Sequence, residues 1–380
     1  MYWLVFFLIA GCALFEIRNR RINKSSFVII YTILVLMTTL RQGQGSDYYN
    51  YLSIYQEIDY ITSHSSALAL AIMKDPLYAA FNYIAIQCGI SYKLFAAIIS
   101  FVIMMLMYPF FRKICNGSAV SLFMLYATFY LIYPFSGVRQ GLAMAIMLGV
   151  MYPLLRDRKI MKYYLVLCIA TLIHQSAIIC AIMPFVYRIK LKNSILALLA
   201  VVCSVIMILG INWITMLPLP GSIVSRAAYY VEESSSPQLL AMLVRVAALL
   251  PVFLLSQKKY SENAELRGVR NLLFAGFMFY SLFSFSDLIA SRMAIYFRVY
   301  EGFFIYLLLF KSGLRKLNMQ IGVYYFLIAS VLFAKDIGAF IDQGEYRHCN
   351  IITYPYLTVF DSDTEIMYYR HNLGHADRME

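Results

Sequence analysis

The residues able to do chemistry in this sequence are few, and they stand at the ends of long apolar runs. Asp47 lies in Arg41-Gln-Gly-Gln-Gly-Ser-Asp-Tyr-Tyr-Asn-Tyr51, just ahead of Tyr48, Tyr51, Tyr55 and Ile58 at helical spacing. A carboxylate beside aromatic faces suits a sugar hydroxyl and a sugar ring. The plainer reading makes Ser46 or Asp47 a helix N-cap and the tyrosines an interfacial belt. Arg139 follows Tyr133-Pro-Phe-Ser-Gly-Val138 and opens an apolar helix. An unpaired arginine inside a membrane costs at least about 2.5–3.5 kcal/mol. It is expected either to snorkel to the nearby surface or to bind an anion in a cavity opened where Pro134 and Gly137 interrupt the apolar stretch. His174 sits between two apolar halves, as a packing residue or as a site residue that takes a proton or, when charged, holds a phosphate.

Arg292 and Arg298 flank the start of a later apolar run. Six positions are about 240° round a helix, so the two share a ligand only if Arg292 precedes the helix. Arg298 and Glu301 are spaced to pair with each other. Arg245, in the middle of the run 238–256, is a further intramembrane candidate, whereas Arg41 and Arg226 carry the weaker signal of outer-loop arginines. Several arginines, one histidine and one aspartate suit a substrate carrying a phosphate group. No P-loop, GxSxG or HExxH motif and no paired His/Glu spacing occurs, so neither metal nor cofactor is expected.

The elements that must position these residues are apolar helices. The 380-residue chain is 62% hydrophobic but only 14% charged, against roughly 25% charged in a soluble domain. Lipid is the solvent that such a surface fits, at about 20 apolar residues per crossing. Apolar runs cover roughly 2–17, 27–40, 76–111, 119–135, 139–155, 163–186, 193–216, 238–256, 271–289, 293–311 and 319–338. The first run starts without a basic n-region or cleavage site and reads as a retained span. The expected fold is all-α: a polytopic transmembrane bundle of about 10–12 membrane segments, short or re-entrant helices included. Residues 1–340 are expected to form one membrane domain, and 341–380 a polar tail on the outer side. The net charge of +12 comes from basic clusters between apolar runs rather than from a stripe with interleaved aromatics, which argues for anionic lipid heads and against nucleic acid. Seven cysteines lie in or beside apolar runs without a CxxC, so no disulfide framework is expected.

Placing the basic clusters in the cytoplasm makes two demands. The run 76–111 must cross an odd number of times, with Pro76 to Gly89 as a half-helix ahead of one span. The run 163–186 must rise and return as two short helices with His174-Gln175-Ser176 at the apex; the alternative is one long kinked span. The outer side then carries the loop 41–75, with an amphipathic helix in it, and the residues picked out above.

Arg41-Gln-Gly-Gln-Gly-Ser-Asp47-Tyr-Tyr-Asn-Tyr51 resembles the first motif of the EpsG family. Ser136-Gly-Val-Arg139-Gln-Gly-Leu-Ala143 and Ile169-Ala-Thr-Leu-Ile-His174-Gln-Ser-Ala177 resemble its central motifs, and Arg292-Met-Ala-Ile-Tyr-Phe-Arg298 its later one, in the same order. The resemblance implies a Wzy-type polymerase of capsule, exopolysaccharide or O-antigen in the bacterial inner membrane, working at the outer face without a metal. It would use polyprenyl-diphosphate-linked oligosaccharides as donor and acceptor, with a chain-length regulator and a flippase as further partners. Asp47 would be the base and His174 the second candidate; Arg139, Arg298, Arg292, Arg41 and Arg245, with Tyr48 and Tyr51, would bind substrate and diphosphate. A flippase of the same lipid-linked sugar is the main alternative, and a sugar acyltransferase the third. The absence of internal repeats argues against the flippase, and the many arginines against the acyltransferase.

Overall fold

Lys24 to Leu40 form a helix because the apolar run 27–40 follows Asn23, whose side chain accepts from the backbone N–H groups of Ser25 and Ser26. The same grammar recurs along the chain. In the computed structural model the described residues are 1–64, 75–209, 212–213, 243–244, 246–248, 263–311 and 318–370. Among them the structure is all-α, with only two isolated β-bridges. Five helices among the described residues are long and apolar enough to cross a membrane: Tyr2–Asn19, Tyr92–Ile114, Val138–Arg156, Leu288–Lys311 and Met319–Gln343. Five shorter apolar helices accompany them, Lys24–Leu40, Ala119–Tyr130, Ile160–Ile173, Gln175–Val186 and Ser194–Leu209. The expected polytopic helical membrane fold is therefore what the chain adopts. Most of 238–256, with Arg245, and all of 217–237, with Arg226, lie outside the described residues.

The chain divides into two compact units, residues 1–178 with 329–380 and residues 179–328. In the first, α1 (Tyr2–Asn19) packs on α6 (Ala119–Tyr130), and α5 (Tyr92–Ile114) packs on α2 (Lys24–Leu40) and α7 (Val138–Arg156). The α5–α7 approach is so close that a Cβ on Gly149 would lie 1.9 Å from the Leu106 carbonyl oxygen. The backbones can meet there only because glycine has no side chain. Leu4, Phe7 and Phe15 of α1 are exposed, and lipid is the environment that suits them. The buried carboxylate of Glu16 is satisfied by the N–H groups of Asn23 and Ala119 and by the Ser118 hydroxyl, which ties the end of α1 to the start of α6.

The run 76–111 resolves into α4 (Pro76–Gln87), a turn with Gly89 at φ +66°, and α5. The amphipathic helix of the loop after α2 is α3 (Tyr48–His64), and it buries Tyr48, Tyr51, Tyr55 and Ile58. The run 163–186 breaks at His174: α8 (Ile160–Ile173) ends there, His174 is extended, and a 3₁₀ helix starts at Gln175. The segment after Gln343 is tied down. The Gln42 N–H donates to the Leu357 carbonyl, the Val359 N–H donates to the Leu40 carbonyl, and Arg41 bridges antiparallel to Thr358.

In the second unit, Ala264–Leu282 is the central helix, packed by Asn193–Leu209, Asp287–Arg298 and Glu301–Lys311. Cys203, Met207, Phe277, Tyr280, Ala290 and Ala294 form its core. The Asn271 amide caps the end of the Met183–Val186 turn by donating to the carbonyls of Val186 and Ile189.

Candidate functional site

The loop between α2 and α3 starts the site. Gly43 and Gly45 take φ of +62° and +101°, values that favour glycine. They turn the chain so that Ser46 and Asp47 meet Ser136. The Ser136 hydroxyl accepts from the Asp47 N–H at 3.2 Å and shares a hydrogen bond with Ser46 at 3.1 Å. Ser136 and Gly137 lead directly into α7, so the start of α3 and the start of α7 are held together. The Asp47 carbonyl accepts the N–H of Tyr51, which makes Asp47 the N-cap residue by position. Its carboxylate, however, accepts no hydrogen bond from any described residue and stays half-buried beside Gly137.

Arg139, in the first turn of α7, reaches across to Asp75. Its Nη1 lies 2.8 Å from Asp75 Oδ2, and its guanidinium sits over the rings of Tyr51 at 5.1 Å and Tyr78 at 5.8 Å. Asp75 precedes Pro76, the first residue of α4, yet its side chain makes no capping bond to its own helix. Instead Oδ1 accepts the Gln175 N–H at 3.2 Å, and Oδ2 faces His174 Nδ1 at 3.7 Å. The break at His174 is what turns both groups toward Asp75, since a continuous helix would bond the Gln175 N–H within itself. Asp75 is only 3% exposed, His174 13% and Arg139 25%.

Charge explains how a buried carboxylate is tolerated. Burial alone would raise the Asp75 carboxyl, but the neighbouring His174, the charge of Arg139 and the Gln175 N–H together hold it below its ordinary value. The Tyr51 hydroxyl is pushed up to about 12 by burial and by Asp47, against the opposing pull of Arg139. Tyr51 therefore stays a neutral donor at neutral pH, within electrostatic reach of both.

Of the residues picked out by sequence, Asp47, Tyr51, Arg139 and His174 are gathered in the first unit. Tyr48 is in the same unit but covered, its ring against Tyr49 and Tyr92 and its carbonyl accepting the Tyr92 hydroxyl. Neither Tyr48 nor Tyr51 offers an open ring face, because both are buried. The face of Tyr51 is taken up by Arg139. Arg41 is also buried with partners of its own: Nη1 donates to the Thr38 carbonyl and to Ser100 Oγ, and the guanidinium lies over Phe135. Arg292 and Arg298 belong to the second unit. Their helix starts at Asp287, ahead of Arg292, so the two stand about 240° apart round it. Arg298 Nε meets Glu301 Oε1 at 2.9 Å. Arg245 lies outside the described residues.

Asp75 is the central residue that sequence reading passed over. The available signal was an acid-proline pair at the start of an apolar run, together with an intramembrane arginine in need of a counter-charge. Arg370 was passed over too. Its Nη1 donates to the carbonyls of Gly43 and Gly45, and its guanidinium lies over Tyr49 and Tyr346. Among the described residues no three His, Cys, Asp or Glu side chains gather as a metal site.

The arrangement combines a cation, an imidazole and an unengaged carboxylate at neighbouring helix starts in an otherwise apolar bundle. It can hold an anionic group and accept a proton beside it. No curated protein and no solved structure matches the chain. The EpsG family model matches residues 24–357, which takes in Asp47, Asp75, Arg139, His174 and Arg298. With most of its length covered by that match, the chain belongs to the EpsG family.

Proposed function

We propose that the protein is a Wzy-type polysaccharide polymerase of the bacterial inner membrane. It would join polyprenyl-diphosphate-linked oligosaccharide repeat units at the outer face, by transferring the growing chain to a new lipid-linked unit. The observation that carries this reading is the grouping of Arg139 and His174 around one buried carboxylate, in a multi-pass member of the EpsG family.

In the reaction, an acceptor hydroxyl oxygen bonds to the anomeric carbon of the donor chain. The bond from that carbon to the diphosphate oxygen breaks, and its electron pair leaves with the polyprenyl diphosphate. Arg139 supports the leaving charge, as a preorganised guanidinium does where negative charge develops. Tyr51 and Tyr78 keep that guanidinium in place from beneath. The proton of the acceptor hydroxyl needs a base, worth typically about 10²–10⁴-fold. The two candidates for it are the Asp47 carboxylate and the His174 imidazole.

The test is to incubate the purified protein in vesicles with a synthetic lipid-diphosphate repeat unit and nothing else. Chain lengthening is the expected outcome. Movement of the unit across the vesicle without lengthening would favour a flippase, and a product formed only with an acyl donor would favour an acyltransferase.

A further inference from the structure

Asp75 touches no reacting atom, yet it is the best-engaged carboxylate of the site. Its two oxygens have separate tasks. Oδ1 accepts the Gln175 N–H, the first N–H after His174, and so fixes the backbone on which the imidazole is mounted. Oδ2 holds Arg139 at 2.8 Å and faces His174 Nδ1 at 3.7 Å. At 3.7 Å there is no hydrogen bond, but the negative charge of Asp75 favours a proton on the ring nitrogen that faces it, Nδ1. With Nδ1–H toward Asp75, the neutral imidazole has the lone pair of Nε2 on its far side, at a nitrogen the protein encloses and an acceptor hydroxyl must reach. A carboxylate behind an imidazole also stabilises the imidazolium that forms when Nε2 takes a proton. Asp47 has no such partner, and its carboxylate accepts nothing from the described residues.

Resting on the polymerase reading, we infer that His174 is the base for the acceptor hydroxyl and that Asp75 is its positioning residue, setting the imidazole's tautomer and its spacing from Arg139. The acceptor proton passes to Nε2 as the acceptor oxygen bonds to the anomeric carbon. The imidazolium then returns that proton to water. Asp75 keeps its charge throughout and touches no reacting atom. Asp47 hydrogen-bonds an acceptor hydroxyl without taking its proton. The charges fit the course of the reaction, since positive charge grows on His174 as negative charge grows on the leaving diphosphate beside Arg139.

Two measurements test this on the full-length protein in lipid nanodiscs. The first uses ¹⁵N-labelled histidine, with the His174 signals assigned by their loss in His174→Gln, and needs no lipid-linked sugar. The neutral form of His174 is expected to carry its proton on Nδ1. A proton on Nε2 in the wild-type protein would overturn the inference, and this readout stands even if Asp75 variants fail to insert. The second compares wild type and Asp75→Asn for single-step transfer at equal membrane abundance. Asparagine keeps an acceptor for the Gln175 N–H but removes the charge. The expected result is a fall in kcat of more than tenfold with KM within threefold, accompanied by a change in the His174 spectrum. A smaller fall, an effect confined to KM, or an unchanged spectrum would overturn it. If the wild type itself forms no polymer, the polymerase reading fails instead, and the tautomer measurement separates that case from this one.

Discussion

Asp75 and Arg139 stand 64 residues apart in the chain and 2.8 Å apart in space, joining the starts of α4 and α7 through one ion pair. The carboxylate is almost fully enclosed, so it needs that cation: an isolated buried charge would neutralise or reject burial. The pair in turn holds Arg139 away from the surface, where an arginine at a helix end would otherwise snorkel.

The first prediction follows from the depressed Asp75 carboxyl. A proton binds Asp75 more readily in the unfolded chain, whose aspartate titrates near about 3.9, than in the folded protein. The stability it contributes is therefore complete above that value and is lost as pH falls through the folded one. Melting of the detergent-solubilised protein between pH 7 and pH 3 is expected to show a steeper acid loss for wild type than for Asp75→Asn. Identical acid profiles would mean that Asp75 is not held ionised by its neighbours.

Asp47 and His174 can be divided by paired substitutions. Asp47→Asn retains size and capping ability, and on this account it loses less than about tenfold in single-step transfer. His174→Gln is expected to lose about 10²–10⁴-fold, the usual worth of a general base. The reverse pattern would move the base to Asp47.

Much of this architecture was legible in the sequence. The apolar runs gave the helices, because a membrane segment must be both apolar and helical whatever its neighbours. The Tyr48, Tyr51, Tyr55 and Ile58 stripe predicted the buried face of α3 correctly. The Pro134–Gly137 interruption marked the start of α7, and His174 marked a break. What remained hidden was pairing across the sequence. Asp75 looks like one more helix-start acid until Arg139 is seen opposite, and Tyr51 looks like a sugar platform until Arg139 is found on its face. Arg370 was invisible for a related reason, since it binds backbone carbonyls, which no side-chain pattern records.

That arginine supplies a prediction about the loop that carries Asp47. Arg370→Ala removes two donors from the carbonyls of Gly43 and Gly45 and a cation from between Tyr49 and Tyr346. Buried hydrogen bonds from a charged donor contribute about 1.5–3 kcal/mol, so faster hydrogen exchange at residues 42–46 is expected. Gly45→Ala is expected to act similarly, because its Cβ would meet Ser136 Oγ at 2.8 Å in a backbone conformation that alanine disfavours. Wild-type exchange rates in both variants would show that the C-terminal segment does not restrain the loop.

Orientation is tested by labelling single cysteines, in a cysteine-free background, with an impermeant reagent. The basic clusters at 18–24, 156–162 and 188–192 are expected to be shielded from outside, and so are 257–270 and 311–316, of which 257–262 and 312–316 lie outside the described residues. Residues 45–64 are expected to be open, and so is 65–70, which lies outside the described residues. Labelling from outside at position 190 would replace the re-entrant reading of 163–186 with a single span.

The most direct test counts the leaving group. Purified protein is supplied with a lipid-diphosphate repeat unit, and released polyprenyl diphosphate is measured against glycosidic bonds formed. The account predicts one polyprenyl diphosphate per bond for wild type and neither product for Arg139→Ala at equal membrane abundance. Arg139→Lys should also be poor, because an ammonium cannot reproduce the planar guanidinium held between Asp75 and the two tyrosines. Release without bond formation, or one-for-one release that persists in Arg139→Ala, would contradict it.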